Sequence, residues 1–389
     1  MNIFGYIDES LKRGLVSIVR RRILWISMIV VPIFTAFFFL DLMKQGVPNQ
    51  APVGIIDLDN SSTSRSIVRT LSAMKEVSIR DEYISYHEAV DALQEGKILG
   101  FFFIPSDLEE RALGGRQPRV SFYINYAYYA PASFQYRGFK TISVLANAAI
   151  ARTLMRTLGL SDRQVMATLQ PITIHTHGLN NPWTNYSYYL NLSFIPCFLA
   201  LMILLVTAFS IGTELKYGTS KQWIESSANS IELAVAAKMM PQTIIFTAVG
   251  WFIQFLMYRV YGLPLNCNPW HMILAMAIFV VANQGFGLFL MCVVPNFRLG
   301  TTLCSLFGVI SFSFCGFSLP SESLYPWVKA LSYVVPVRYY FLLSIDQALN
   351  GLPLYYSRIS YAAMLGFTLL PWTLLWRLRR FCVNPVYVP

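Results

Sequence analysis

Apolar positions fall into long runs at residues 23–43, 188–212, 240–259, 272–294, 300–317 and 359–377. A helix needs about 20 mostly apolar residues to cross the hydrocarbon core of a bilayer, so each run predicts a span. The later runs follow one another through short connections, while a polar stretch at 44–187 separates the first from the rest. The pattern predicts a polytopic α-helical membrane protein of one plus five transmembrane helices, with an α/β (α+β) domain inserted between spans 1 and 2.

Within the polar stretch the period changes. "VGIIDL", "VSIRDEY", "ILGFFFIP" and "RVSFYINYA" read as strands, and "NSSTSRSIVRTLSAM", "SYHEAVDALQEGK" and "SDLEERALGG" as helices. Strands alternating with helices predict a small mixed sheet covered by helices. "GFKTISVLANAAIARTLMRTLGL" has a helical period that leads back toward the membrane, and the aromatics of "NPWTNYSYYLNLSF" suit a membrane interface. At the amino end, Ile3, Ile7, Leu11, Leu15, Ile18 and Val19 recur opposite Asp8, Glu9, Lys12 and Arg13, so 1–22 reads as an amphipathic helix on a membrane surface.

Composition agrees: 55% of residues are hydrophobic and 13% charged, which points to an integral membrane protein rather than a large soluble core. The net charge of +10 would suggest nucleic acid in a soluble protein; here its placement marks topology, because Lys and Arg near span ends are retained in the cytoplasm. Lys12, Arg13, Arg20, Arg21 and Arg22 precede the first span, Lys216, Lys221 and Lys238 stand between the second and third, Arg298 between the fourth and fifth, and Arg377, Arg379 and Arg380 at the end of the sixth and in the tail 378–389. Six crossings put all of these on one side, against Arg259, Lys329, Arg338 and Arg358 on the other. Both termini are thus expected in the cytoplasm and the 44–187 domain outside it, with no nucleic-acid partner. The first run lacks a small-residue cleavage site and reads as a retained span. The six cysteines avoid the polar domain, so neither a disulfide framework nor a zinc site is indicated.

Candidate chemistry is sparse. The turn "DLDNSSTS" has the shape of a nucleotide-binding start but no glycine after Gly54 to let backbone approach a pyrophosphate. Asp57 and Asp59 have the residue type for a divalent ion or a phospho-acceptor, or Asp59 and Asn60 occupy the turn and cap the following helix, with Asn60, Ser61 and Ser62 all cap-forming residues, the reading the turn favours. His175 and His177 alternate as strand ligands can, with no cysteine or acid nearby in sequence to complete a metal site. Asn283 and Gln284 inside an apolar run are expected to face the bundle interior, as packing contacts or substrate contacts. No nucleophile motif and no phosphate-binding G-x-x-x-x-G-K-[ST] occurs, so the chain is not expected to be an enzyme, and if energy from ATP is used, the ATP and its Mg belong to another polypeptide.

The connection 213–239 is more telling. Glu214 and Lys216 end a span, Gly218 and Thr219 form a turn with cap potential, and "SIELAVAAKMM" reads as an amphipathic surface helix suited to docking a cytoplasmic partner. Here the chain resembles the permease subunit of an ABC-2 type (type V) exporter, over nearly its whole length. Glu214, Gly218 and Thr219 match that family's E-x-x-x-G-T pattern, with Thr213 where relatives often carry arginine. "VGIIDLDNSS" is similar to the start of its external segment, and "CGFSLPSESLYPWVKALSYVVPVRYY" to its re-entrant helices at 318–357, with Pro320, Pro326, Trp327 and Pro336 in corresponding places as an external gate.

The resemblance implies a coupling helix around 224–238, with Glu214, Lys216, Gly218, Thr219, Ile231, Glu232 and Lys238 as the ATPase-coupling set. It further implies an ABC ATPase subunit, a second permease chain, and, for the branch with a large external domain, a periplasmic membrane-fusion adaptor and outer-membrane channel. The expected activity is export of a drug, lipid or other hydrophobic compound. The alternative is an ATPase-driven mechanotransmitter that regulates a periplasmic partner without moving cargo, with a membrane-bound acyltransferase a more distant third.

Overall fold

A computed structural model describes residues 3–44, 46, 50–74, 77–114, 116, 119–157, 159–169, 181, 185–316 and 324–384. The chain divides into two compact units, Met1–Lys44 with Leu179–Pro389, and Gln45–Gly178. His175, His177 and Pro320 lie outside the described residues. Chain order opens with α1 (Ile3–Arg20) and α2 (Arg22–Leu42) of the first unit. A π turn at Ile26–Val30 precedes Pro32 in α2 and takes up the offset caused by a residue with no N–H.

The unit Gln45–Gly178 is built on β1 (Ala51–Asp57), α3 (Ser62–Ser72), β2 (Val77–Glu82), α4 (Tyr86–Gln94), β3 (Gly100–Ile104), α5 (Leu108–Leu113) and β4 (Ser121–Ile124). The four-stranded sheet has the order β2-β1-β3-β4, with β1 parallel to both neighbours and β4 antiparallel to β3. Val53, Ile55, Phe102 and Ile104 are buried on one sheet face with Leu71 of α3 and Leu108 of α5; Ile56 and Phe101 are buried with Ala89 and Ala92 of α4. That two-sided burial explains the near-continuous apolar runs of β1 and β3.

The helix of this unit that comes next, α6 (Tyr129–Thr157), starts well before the expected "GFKT"; Pro131 lies in its first turn, where a missing N–H costs nothing. After it comes α7 (Asp162–Leu169). The capping expectation is corrected in detail. Ser61, not Asp59 or Asn60, caps α3 by accepting from Ser64 N at 3.0 Å. Asp59 reaches across to accept from Leu108 N and Glu109 N at the start of α5, while Asp57 Oδ1 accepts from the N–H groups of Asp59 and Asn60. Both aspartates are thereby engaged as turn and cap residues.

The first unit continues with α8 (Tyr186–Lys216), α9 (Ser220–Glu225), α10 (Ile231–Val260), α11 (Pro269–Val293), α12 (Phe297–Phe314), α13 (Pro326–Ser332), α14 (Pro336–Leu349), α15 (Arg358–Leu369) and α16 (Leu375–Val383). Among the described residues six helical stretches are long and apolar enough to cross a membrane, and the bent pair α13–α14 would make a seventh if it forms one span. The central ones are α8 and α11, about 67% buried over their apolar windows, against 22% for α12 and for the stretch Arg358–Val383. Asn185, Ser230, Asn268 and Asn296 each accept a backbone N–H at the start of α8, α10, α11 and α12, so polar caps set where these spans begin.

Several expected boundaries move. The third span starts at Ile231 rather than 240, because Pro241 does not interrupt α10, and the fifth covers Phe297–Phe314 rather than 300–317. The carbonyl that Pro241 leaves without its helical donor, Ala237 O, is approached by α1: a Cβ added to Gly14 would lie 3.1 Å from it. Between 318 and 357, α13 and α14 meet at an 85° bend.

The sheet unit carries a titration prediction. Glu109 accepts hydroxyls from Ser62 and Thr63, each at 2.7 Å, and these hold its carboxyl below the usual carboxylate range. Its folded-state value is depressed, so the stabilisation is present above about pH 4.3, the ordinary glutamate value, and is lost as pH falls through the folded value. The protection factors of the amides at 64–66, each taken against intrinsic exchange at the same pH, should therefore fall on acidification in the wild type. In E109Q they should be low at neutral pH already, and equal pH responses of the protection factors in the two proteins would refute the assignment.

Candidate functional site

The site grows from the way α8 ends. After Lys216 the chain turns through Gly218, whose φ of +69° is left-handed and suits a residue without Cβ. Thr219 N donates to Glu214 O at 3.0 Å and Gly218 N to Leu215 O at 3.3 Å, the double bond pattern that closes a helix with glycine just past its cap. The side chains repeat the link: the Thr219 hydroxyl donates to the Glu214 carboxylate. E-x-x-x-G-T is thus a helix-stop in which the first and last residues are tied twice. Thr219 does occupy the N-cap position of α9, as its cap potential suggests, but its hydroxyl turns back to Glu214 and leaves that helix uncapped.

Three other segments close on the same carboxylate. Lys238, on the second turn of α10, donates its Nζ to Glu214 Oε1, and its ammonium also lies 4.9 Å from the centre of the Trp223 ring on α9. Arg13 of α1 reaches Glu214 Oε2 at 3.3 Å and Thr219 O at 3.5 Å. Glu214 is 8% exposed and Lys238 5%, so two charges sit in a largely dry place with a third at its edge. An ion pair in such surroundings gains little net stability over an apolar pair, but removing one member leaves an uncompensated charge.

Around this pair the ends of the helical unit are tied together. Ser10 and Ser227 share a hydroxyl hydrogen bond of 2.7 Å, and Ser220 Oγ donates to Cys382 O at 2.8 Å, joining α1 and α16 to the 217–230 connection. One turn deeper, Gln242 Nε2 donates to Ser210 Oγ at 2.8 Å. Residues 210 and 214 on one helix and 242 and 238 on its antiparallel neighbour are spaced four apart, so the polar rungs stack along one seam. From Thr243 the seam passes to α11 through a 2.7 Å bond to Gln284 Oε1.

The expected site residues divide accordingly. Glu214, Gly218, Thr219 and Lys238 come together. Lys216 is adjacent but faces the Phe297 ring at 5.1 Å. Ile231 is buried in the first turn of α10, and Glu232 accepts from Ser230 Oγ at 2.6 Å on the surface. A separate coupling helix over 224–238 does not form: 231 onward is the start of a long span, and the exposed part of the connection is α9 and the turn after it, with Lys221, Gln222, Glu225, Ala228 and Asn229 facing out.

Asn283 and Gln284 do face the interior; Asn283 Nδ2 bonds the Phe279 carbonyl of its own helix, and both are 1% exposed. Pro326 and Pro336 start α13 and α14, and Trp327 is 70% exposed, so these three stand apart from the Glu214 cluster. Arg13 is the member that sequence reasoning counts only among the topology charges and on the polar face of α1; its pairing with Glu214 carries no local signal, though Gly14 beside it lets α1 approach α10 closely.

An apolar groove of about 400 Å³ opens elsewhere in the same unit, lined by Ile23 and Leu24 of α2, Met202, Val206 and Phe209 of α8 and Phe297 of α12. No group of three or more His, Cys, Asp or Glu side chains suited to a metal ion occurs among the described residues.

The cluster makes a stability prediction. K238M leaves Glu214 buried beside only a peripheral cation and should cost about 3–5 kcal/mol, whereas E214L/K238M, which removes both charges, should recover most of that loss. Thermal melting of the purified chain reads the cycle, and additive losses would contradict the pairing. G218A should cost about 1–2 kcal/mol through its left-handed backbone alone.

The description "ABC-2 family transporter protein" belongs to the family model that matches residues 22–377. No match to a curated protein is found. The match runs from the first residue of α2 into α16 and takes in the helix-stop at 214–219 with its partners on α9 and α10. The chain therefore belongs to the ABC-2 transporter family, the membrane-spanning components that work with an ABC ATPase.

Proposed function

We propose that this chain is the permease of an ATP-driven exporter and that the 217–230 connection receives the stroke of a separate ATPase subunit. The observation that carries this is the Glu214 cluster. It ties the exposed α9 turn to α1, α8 and α10 through buried charge, so a push on α9 displaces several helices together rather than bending a loop. Lys221, Glu225 and Asn229 on the exposed face are the proposed ATPase contacts. Ile231 and Lys238 act indirectly, since both are buried.

In this reading both termini and the 217–230 connection are cytoplasmic, following the Lys and Arg distribution, and Gln45–Gly178 lies outside the inner membrane, where an adaptor and outer-membrane channel would meet it. A second permease chain, identical or homologous, completes the transporter. The groove lined by Leu24, Val206, Phe209 and Phe297 offers little beyond apolar contact, which favours a drug, lipid or similarly hydrophobic cargo.

Two measurements test the proposal. In intact cells from which the outer membrane has been permeabilised, a membrane-impermeant maleimide should label S66C on α3 and not E225C, and the order should reverse in inverted vesicles. Inverted vesicles that also carry the partner ATPase should accumulate a hydrophobic dye on addition of ATP, and wild-type vesicles that do not would overturn the export reading. Tight partner-dependent ATP hydrolysis without dye movement would instead favour the regulatory alternative.

A further inference from the structure

The 85° corner between α13 and α14 holds a cation that no carboxylate among the described residues matches. Arg338, in the first turn of α14, is 4% exposed. Its side chain folds back toward the helix start, as helical side chains do. Nη1 donates to Ser332 Oγ at 2.7 Å, and the guanidinium lies 4.6 Å from the Tyr333 ring centre. Nε has no hydrogen-bond partner among the described residues. The Ser332 hydroxyl is itself committed to Lys329 O, so it gives the cation only a neutral neighbour.

A second positive feature coincides with the first. The N-cap position of α14 is Val335, which has no side chain to cap the helix, and Pro336 follows it. Pro336 brings no N–H and Arg338 N donates to Val335 O at 3.3 Å, so the start of α14 contributes chiefly the positive end of the helix dipole at the corner where the guanidinium lies. A buried guanidinium and an uncapped helix start together call for an oxyanion, which arginine holds through parallel N–H bonds.

The surroundings identify the source of that oxyanion. Tyr325 and Trp327 at the start of α13, with Tyr333 and Val334 at the corner, are exposed by 75%, 70%, 46% and 42%. Aromatic residues with one polar end concentrate at the headgroup level of a bilayer. We propose that the α13–α14 corner binds the phosphodiester group of a membrane phospholipid, with Arg338 and the start of α14 as its ligands and the exposed aromatics against its glycerol and upper acyl region. The proposal rests on reading 326–349 as a re-entrant segment at the membrane surface, and its test needs neither ATP nor a partner chain, so its failure is distinguishable from failure of export.

The test is native mass spectrometry of the full chain in detergent, titrated with phosphatidylglycerol, with diacylglycerol as the phosphate-free control. Wild type should retain phosphatidylglycerol and not diacylglycerol, and R338Q should lower the retained fraction by roughly tenfold. R338K keeps the charge without the planar fork and should fall between the two, which covers the case in which R338Q does not fold. Displacement by millimolar inorganic phosphate would overturn the lipid assignment in favour of a free-anion site. Equal retention by wild type and R338K, or equal binding of diacylglycerol, would overturn the site itself.

Discussion

One carboxylate organises an entire end of the helical unit. Glu214 stands where α8 must stop, and in that place it accepts from Thr219 across the stop, from Lys238 of α10 and from Arg13 of α1. The constraint is electrostatic: a carboxylate that is only 8% exposed must be matched by cations held close, and holding them fixes the helices that carry them. Register along the α8–α10 seam is then set, because the Ser210–Gln242 bond lies one turn deeper on both helices. A seam of this type resists sliding better than an apolar contact, since a shift of one turn would strip Ser210 and Lys238, or Glu214 and Gln242, of their partners in a buried place.

This arrangement gives the E-x-x-x-G-T sequence at 214–219 a physical meaning. Glycine supplies the left-handed turn, threonine ties that turn to the glutamate, and the glutamate ties the turn to the bundle. Thr213 donates to Ser210 O within its own helix. Beside Lys238, the positive charge facing the glutamate comes from Arg13, on a helix at the other end of the sequence. In the proposed coupling, a signal arriving at α9 would have two routes, one along α8 and α10 toward the polar rung at Gln284 and one through α1. Energy transfer by helices moving as packed bodies suits such a network better than a flexible loop would.

Much of the fold is legible from periodicity. The strand and helix alternation between 51 and 124 can be read because two-sided burial makes β1 and β3 almost uniformly apolar, while the spans announce themselves by length. The features that periodicity misses share one cause: charge and proline read as surface or boundary. Glu232, Lys238 and Pro241 make the start of α10 look like an interfacial helix, when Lys238 is buried against Glu214 and Pro241 is carried inside a continuous helix with Gly14 packed beside it. Pro131 hides the start of α6 in the same way. The Arg13–Glu214 pairing, 201 residues apart, has no local signature, and Arg338 can be counted in the sequence but not placed.

The central claim is that the Glu214 cluster transmits the ATPase stroke rather than merely holding helices together. The most direct test is ATP-driven export by E214L/K238M in vesicles that contain the partner ATPase, with the variant first matched to wild type in melting temperature. The account expects export to fall by at least about tenfold, equivalent to roughly 1.4 kcal/mol in the coupled step, while the ATPase subunit still binds and hydrolyses ATP. Export at the wild-type rate by this stable variant would contradict it.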